Sequence, residues 1–327
     1  MRGPAFFCVL LMLAAPVFAQ DAAPAAAPEI TDCDRLAAGA FDDGRVAEPT
    51  RLEDMDPKLA LPACRAAVAA DPDNLRLQYQ LARSLEVDGN LTEAFAIYLK
   101  AAEAGYPAAM NGVGRLYVEG RGTALDLDLA LTWYGKAALL GDVAAITNLG
   151  AIYENGPEGF RVDKATAFLW YKIAADRGYG VAQSELGYAY ATGQGIGEDL
   201  EQARLWWEKA AAQDEPSAYF NLGYIYEAGL GVEADIPRAA RYYYDSLRLK
   251  YPNILDNLAD DPLASGADLW LEMEKLIAAD GGTITPDGEP DADTIAALAT
   301  LGGVEPESAV ARFEAAIGAL PAETPAQ

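Results

Sequence analysis

The chain has 327 residues, of which 52% are hydrophobic and 23% charged, enough apolar side chain to bury a core. Its 50 acidic against 24 basic residues leave a net charge of −26, which repels phosphate backbones, and no basic patch offsets it, so nucleic acid is excluded as a partner. It has no histidine, which removes Ser-His-Asp and Cys-His nucleophiles, imidazole bases and every His-containing zinc site, and neither a metal nor a cofactor is expected.

At the N-terminus, Arg2 and the apolar run from Ala5 to Val17, ending in Val17-Phe18-Ala19, have the layout of a signal peptide. Residues 1–19 are predicted to be cleaved after Ala19. The run is too short for a membrane span and holds Pro16, and no later run is long enough, so the mature chain is expected to be periplasmic or secreted, with no membrane span. Residues 20–30 form an Ala/Pro tether. Residues 31–70 hold Cys33, Cys64 and a helical stretch, Pro57 to Ala70, that stops at Asp71-Pro72. An even pair of cysteines in an exported chain reads as one disulfide. The alternative is two free thiols, with neither a Cys-x-x-Cys spacing nor a histidine to activate them.

From there self-similarity dominates. Val113-Gly114, Leu149-Gly150, Leu186-Gly187 and Leu222-Gly223 recur at steps of 36, 37 and 36 residues. Each Gly is followed in register by a tyrosine (Tyr117, Tyr153, Tyr190, Tyr226) and a second glycine (Gly120, Gly156, Gly193, Gly229). Next come an aspartate (Asp126, Asp163, Asp199, Asp235) and an alanine (Ala130, Ala167, Ala203, Ala239). An aromatic pair closes the pattern: Trp133-Tyr134, Trp170-Tyr171, Trp206-Trp207 and Tyr242-Tyr243. Apolar residues three and four apart mark two amphipathic helices per unit. The first Gly admits a close partner helix, and the second takes the left-handed conformation that stops the first helix. The Asp is an N-cap for the second helix, in a capping-box arrangement with Gln202 at Asp199.

These units resemble the Sel-one-like repeat family, relatives of the tetratricopeptide repeats. LGYIYEAGLGVEADIPRAARYYYDS from Leu222 carries the first half of the pattern and LTWYGKAALLGDVAA from Leu131 the second. A shorter unit, LARSLEVDGNLTEAFAIYLKAAEAG from Leu81, looks like an ordinary tetratricopeptide unit. The array is assigned to residues 71–251. Its last copy decays, with Ser246-Leu247 in place of Ala-Ala and Lys250 in place of the closing Gly. The resemblance implies an all-α fold, a right-handed α-solenoid of stacked helix pairs, and a non-enzymatic scaffold whose concave face binds a protein or peptide partner. Carrying over the concave positions gives Asn111, Arg115, Glu154, Tyr188, Tyr224 and Glu227 as partner-binding residues.

Gly193-Gln194-Gly195 is read as a repeat turn, because a phosphate-binding loop must follow a strand. The alternating acids from Asp287 to Asp293 lack the Gly and Glu of a calcium loop. Residues 252–327 are expected to form a small helical region. From Asp287 it is similar to a peptidoglycan-binding signature, matching at Asp287, Gly288, Thr294, Ala297 and Leu298. Two roles stay open for it: a cap on the solenoid, or cell-wall association through residues 265–327.

Overall fold

The computed structural model describes residues 29–319, apart from 41, 158–159, 252–254, 256–265 and 290. The expected signal peptide, and all but the last two residues of the tether, lie outside the described residues. All regular structure among the described residues is helical. Helices α1 (Asp32–Ala37) and α2 (Pro57–Ala70) precede five helix pairs. These are α3 (Leu75–Val87) with α4 (Leu91–Glu103), α5 (Pro107–Glu119) with α6 (Leu127–Leu139), and α7 (Val143–Asn155) with α8 (Lys164–Asp176). Then follow α9 (Gly180–Thr192) with α10 (Leu200–Ala211) and α11 (Pro216–Ala228) with α12 (Ile236–Arg248). Among the described residues, α13 (Gly266–Ala279), α14 (Ala292–Gly302) and α15 (Pro306–Ala319) come next. From α1 through α13 each helix packs on its neighbours in sequence, as in an α-solenoid.

The repeat columns have local causes. In each of the four clear units the Asp side chain accepts from an amide in the first turn of the second helix: Leu129 on Asp126, Ala165 and Thr166 on Asp163, Gln202 on Asp199, Arg238 on Asp235. The same aspartates turn their own amides back to the carbonyls of Tyr117, Tyr153, Tyr190 and Tyr226, at 2.8 to 3.1 Å. That pair of bonds fixes the loop between the helices. Gly120, Gly193 and Gly229 end the first helix in the left-handed conformation, but Gly156 does not (φ −52°). In that unit the Phe160 ring fills the space beside Gly156, so the loop leaves by another route.

Within a unit, the second ring of the aromatic pair lies over the first-helix Gly. A Cβ added at Gly114, Gly150, Gly187 or Gly223 would stand 2.6 to 2.7 Å from Tyr134, Tyr171, Trp207 or Tyr243. The turn between units uses a second left-handed column: Gly105, Gly141 and Gly178, then Asp214 (φ 57°) and Lys250 (φ 63°). Lys250 also reaches forward, its ammonium donating to the Leu301 carbonyl at 2.8 Å.

Both ends of the stack are covered. Cys33 of α1 and Cys64 of α2 are fully buried and joined by a disulfide, so the free-thiol alternative does not hold. At the other end Leu269, Trp270, Met273, Leu298 and Phe313 form one core with Tyr243, Tyr244 and Leu247 of the last pair. The buried Glu274 accepts from the amides of Asp287 and Gly288, both at 2.8 Å, and from the Thr294 hydroxyl. Asp287, Gly288 and Thr294, three of the residues that match the peptidoglycan-binding signature, thus help hold the tail together, and the tail packs on the last helix pair.

Candidate partner-binding groove

The first helices α3, α5, α7, α9 and α11 share one side of the stack, and along it runs a groove of about 720 Å³. Its floor is Tyr79 and Arg83 of α3, Asn111 and Arg115 of α5, Asn148 of α7, and Gly180 and Val181 of α9. Asp142, Tyr179 and Glu215, the N-caps of α7, α9 and α11, form one margin. The opposite wall is the segment between α1 and α2, through Gly39, Pro49, Arg51, Leu52 and Glu53.

Of the six expected partner-binding residues, the structure brings two into this groove. Asn111 accepts from the side-chain amide of Asn148 at 2.9 Å, joining neighbouring units. Arg115 pairs with Glu86 at 2.6 Å and Glu119 at 3.2 Å. Burial alone would lower the Arg115 pKa, but the Glu86 carboxylate more than offsets it and holds the guanidinium firmly charged. Tyr188 and Tyr224 occupy equivalent positions in α9 and α11 and are 41% and 54% exposed. Tyr188 stands seven residues beyond Val181, roughly 10 Å further along the helix axis. Glu154 and Glu227 each accept a hydroxyl bond from their own unit's second helix, from Tyr171 at 2.8 Å and Tyr243 at 2.7 Å. Glu86 takes the same bond from Tyr98 at 3.2 Å. These carboxylates are engaged inside their units.

Burial raises the acids Asp142 and Glu215 of the groove margin and also Glu185 on α9, which does not line the groove. Burial pushes Asp142 up to about 6 against the pull of the Ala145 amide, with Asp42 and Asp43 adding repulsion. Glu185 of α9 is pushed up to about 7 by burial, then by Glu154 and Glu215. Glu215 is raised by burial and partly restored by the Ser217 bonds and the Arg51 charge. Asn148, Asp142, Glu185, Glu215 and the α1–α2 segment were absent from the expected site. Asn148 and Glu185 could have been found by extending the column two residues before the repeat Gly, which reads Gly112, Asn148, Glu185, Asn221. Among the described residues no cluster of candidate metal ligands occurs.

Over 112 residues, 34% of this chain and 16% of the relative, the sequence is 36% identical to chitin synthase regulator SKT5 of Saccharomyces cerevisiae. Over 147 residues, 42% of this chain, it is 29% identical to chitin synthase regulatory factor 3 of Schizosaccharomyces pombe, again 16% of that protein. The match thus spans about a sixth of each relative's length. Both relatives are yeast regulators of chitin synthase, not periplasmic proteins, and this overturns the expected periplasmic or secreted location. No helix among the described residues is long and apolar enough to cross a membrane.

In fold the chain is similar to a Sel1 repeat protein from Oxalobacter formigenes (TM-score 0.52, 27% identity, 76% of this chain and 98% of that one). It is also similar to a protective antigen of uropathogenic Escherichia coli displaying an SLR fold (TM-score 0.52, 24% identity, 81% of this chain and 57% of that one). The Sel1 repeat profile matches residues 78–106, 107–142, 143–179, 180–215 and 216–246, consecutive segments that make up half of the chain and coincide with the five helix pairs, and the chain belongs to the Sel1 repeat family.

Proposed function

We propose that this chain is a non-enzymatic scaffold that captures a protein or peptide partner on the side formed by its first helices, with residues 71–251 as the binding array and residues 252–327 as its cap. The observation that carries the reading is the groove of about 720 Å³, which crosses four successive units and presents the amides of Asn111 and Asn148 beside charged walls. An amide side chain both donates and accepts, which suits a main chain whose own groups are unpaired. Tyr188 and Tyr224 extend the surface as side-by-side aromatic anchors, the residue type that usually dominates binding energy. Arg115 sets the charge of the groove floor, and Glu154 and Glu227 flank the tyrosines. The named role of the yeast relatives is regulation rather than catalysis, which accords with a scaffold.

The test uses tagged full chain as bait in an extract of its own cells, with bound proteins quantified by mass spectrometry. Tyr188→Ala combined with Tyr224→Ala should abolish capture while leaving the melting temperature nearly unchanged, since exposed substitutions cost within about 0.5 kcal/mol. Unimpaired capture by the folded double variant would remove the partner site from this face.

A further inference from the structure

The segment between α1 and α2 lines one wall of the groove through Gly39, Ala40, Pro49, Arg51, Leu52 and Glu53, and its ends and its middle are held very differently. One end is α1, bonded through Cys33 to Cys64, and the other is α2 itself. The middle has no regular secondary structure and few apolar side chains: it reads Asp42-Asp43-Gly44-Arg45-Val46-Ala47-Glu48-Pro49-Thr50-Arg51-Leu52-Glu53. Polar bonds to the array hold it in place. Arg83 of α3, itself buried, spreads its guanidinium over two main-chain carbonyls, Ala37 at 2.8 Å and Thr50 at 2.7 Å. The Thr50 amide donates to the Ala38 carbonyl at 3.0 Å, so the loop is pinched at its neck. Tyr106, the N-cap of α5, donates its hydroxyl to the buried Asp42 carboxylate at 2.6 Å. Beyond the neck Leu52 packs partly buried against the core, while the Arg51 and Glu53 side chains are 58% and 68% exposed and meet each other only at 4.0 Å.

We propose that residues 42–53 are a hinged cover over the groove, latched by Arg83 and Tyr106, and that a partner segment enters when the cover lifts. This rests on the reading of the groove given above. Elements that open locally are those with few buried apolar contacts, and this one is held to the array chiefly by a few hydrogen bonds, those of Arg83 and Tyr106 being charge-assisted. The disulfide and α2 keep both ends in place, so lifting moves the middle alone and leaves the repeats intact. The latch also explains a buried arginine: with the cover lifted, Arg83 keeps the Ala37 carbonyl of the anchored α1 but loses that of Thr50, and a main chain laid in the groove supplies a replacement for the one lost.

Two readouts on the full chain test this without knowledge of the partner. Arg83→Gln combined with Tyr106→Phe should raise amide hydrogen exchange in residues 42–53 at least tenfold, with α7 to α11 unchanged. Hydroxyl-radical footprinting should then show at least threefold more oxidation at the groove tyrosines Tyr79, Tyr98 and Tyr179, with the exposed Tyr188 and Tyr224 as internal references. Tyr106→Phe alone, which keeps the ring and gives up only the bond to Asp42, carries the same test if the double variant folds poorly. Unchanged exchange would show that these residues do not latch the loop. Faster exchange with unchanged footprints would show that the loop does not cover the groove. Partner capture separates this inference from the reading beneath it. Capture equal in parent and latch variant, yet lost with the Tyr188 and Tyr224 replacements, removes the cover and leaves the binding face standing; capture that survives both sets of changes removes the binding face as well.

Discussion

Replacing Gly by Ala inside a helix ordinarily stabilises it by about 1 kcal/mol, through lost freedom in the unfolded chain and better helix propensity. At Gly187 the sign should invert. A Cβ there would stand 2.6 Å from Nε1 and 2.7 Å from Cδ1 of Trp207, a ring that is 3% exposed and has no free side to retreat into. Moving the ring also strains the bond from its Nε1 to the Ser184 carbonyl at 3.0 Å. Overpacking costs about 1 to 3 kcal/mol and a weakened buried hydrogen bond about 1 more. Against the helix gain, Gly187→Ala should lose about 1 to 3 kcal/mol. Gly135 of α6 is the internal control, because an added Cβ meets nothing within 4 Å, so Gly135→Ala should gain about 0.5 to 1 kcal/mol. For a chain of this size about 1 kcal/mol moves the melting midpoint by roughly 2 to 4 °C. Scanning calorimetry of the two variants beside the parent should show shifts of opposite sign. A rise for both would refute the claim that the repeat Gly exists to seat the neighbouring ring.

Three further outcomes are expected. Glu185 has a folded pKa near 7, above its ordinary value of 4.5, so the folded state holds its proton more tightly and stability falls as pH rises from about 4.5 to 7. Glu185→Gln should therefore be more stable than the parent by about 1 to 3 kcal/mol at pH 8 and nearly equal at pH 4, and urea midpoints that shift alike at both pH values would contradict this. Cys33 and Cys64 should resist alkylation in unreduced protein, and replacing both with Ser should cost about 3 to 4 kcal/mol, read from the denaturation midpoint against the parent. Glu274→Leu leaves the Asp287 and Gly288 amides buried without an acceptor, so hydrogen exchange over residues 287–299 should accelerate while α3 to α9 keep their protection; uniform protection would mean the carboxylate does not organise the cap.

The repeat array was legible because each of its columns performs a local task that only a few residue types can do. An Asp before a helix, or a Gly under a ring, carries its meaning in the chain itself, and four registers repeat it. Glu154 and Glu227 show where reading one column at a time stops. Their role depends on a second column: in three units the second-helix Tyr meets a Glu four residues after the Gly position, Tyr98 with Glu86, Tyr171 with Glu154 and Tyr243 with Glu227, whereas in the unit of Tyr134 that position holds Val118. Where the ring is Trp207 the position holds Ala191. The groove wall was illegible for the opposite reason: residues 39–53 have no periodicity, and their place against α3 and α5 follows from Arg83 and Tyr106, 33 and 64 positions away from the residues they hold. In the tail, Asp287, Gly288 and Thr294 stand out in sequence, yet the residue that gives them a purpose, Glu274, carries no motif of its own.

Lys250 makes the last unit unlike the others in one further respect. Gly105, Gly141 and Gly178 leave their turns indifferent to whatever follows, so any unit ending in one of them can be succeeded by any unit beginning with a first helix. Lys250 accepts the same unfavourable backbone angle but anchors to Leu301, which makes its turn specific to the cap. Lengthening such a protein is therefore possible only from within: a duplicated 143–179 segment meets compatible neighbours on both sides, whereas a duplicated 216–251 segment sets a second Lys250 where no carbonyl awaits it. The array behaves like a train whose first three carriages share one coupling, while the last carries one that fits only the cap and so marks the end of the line.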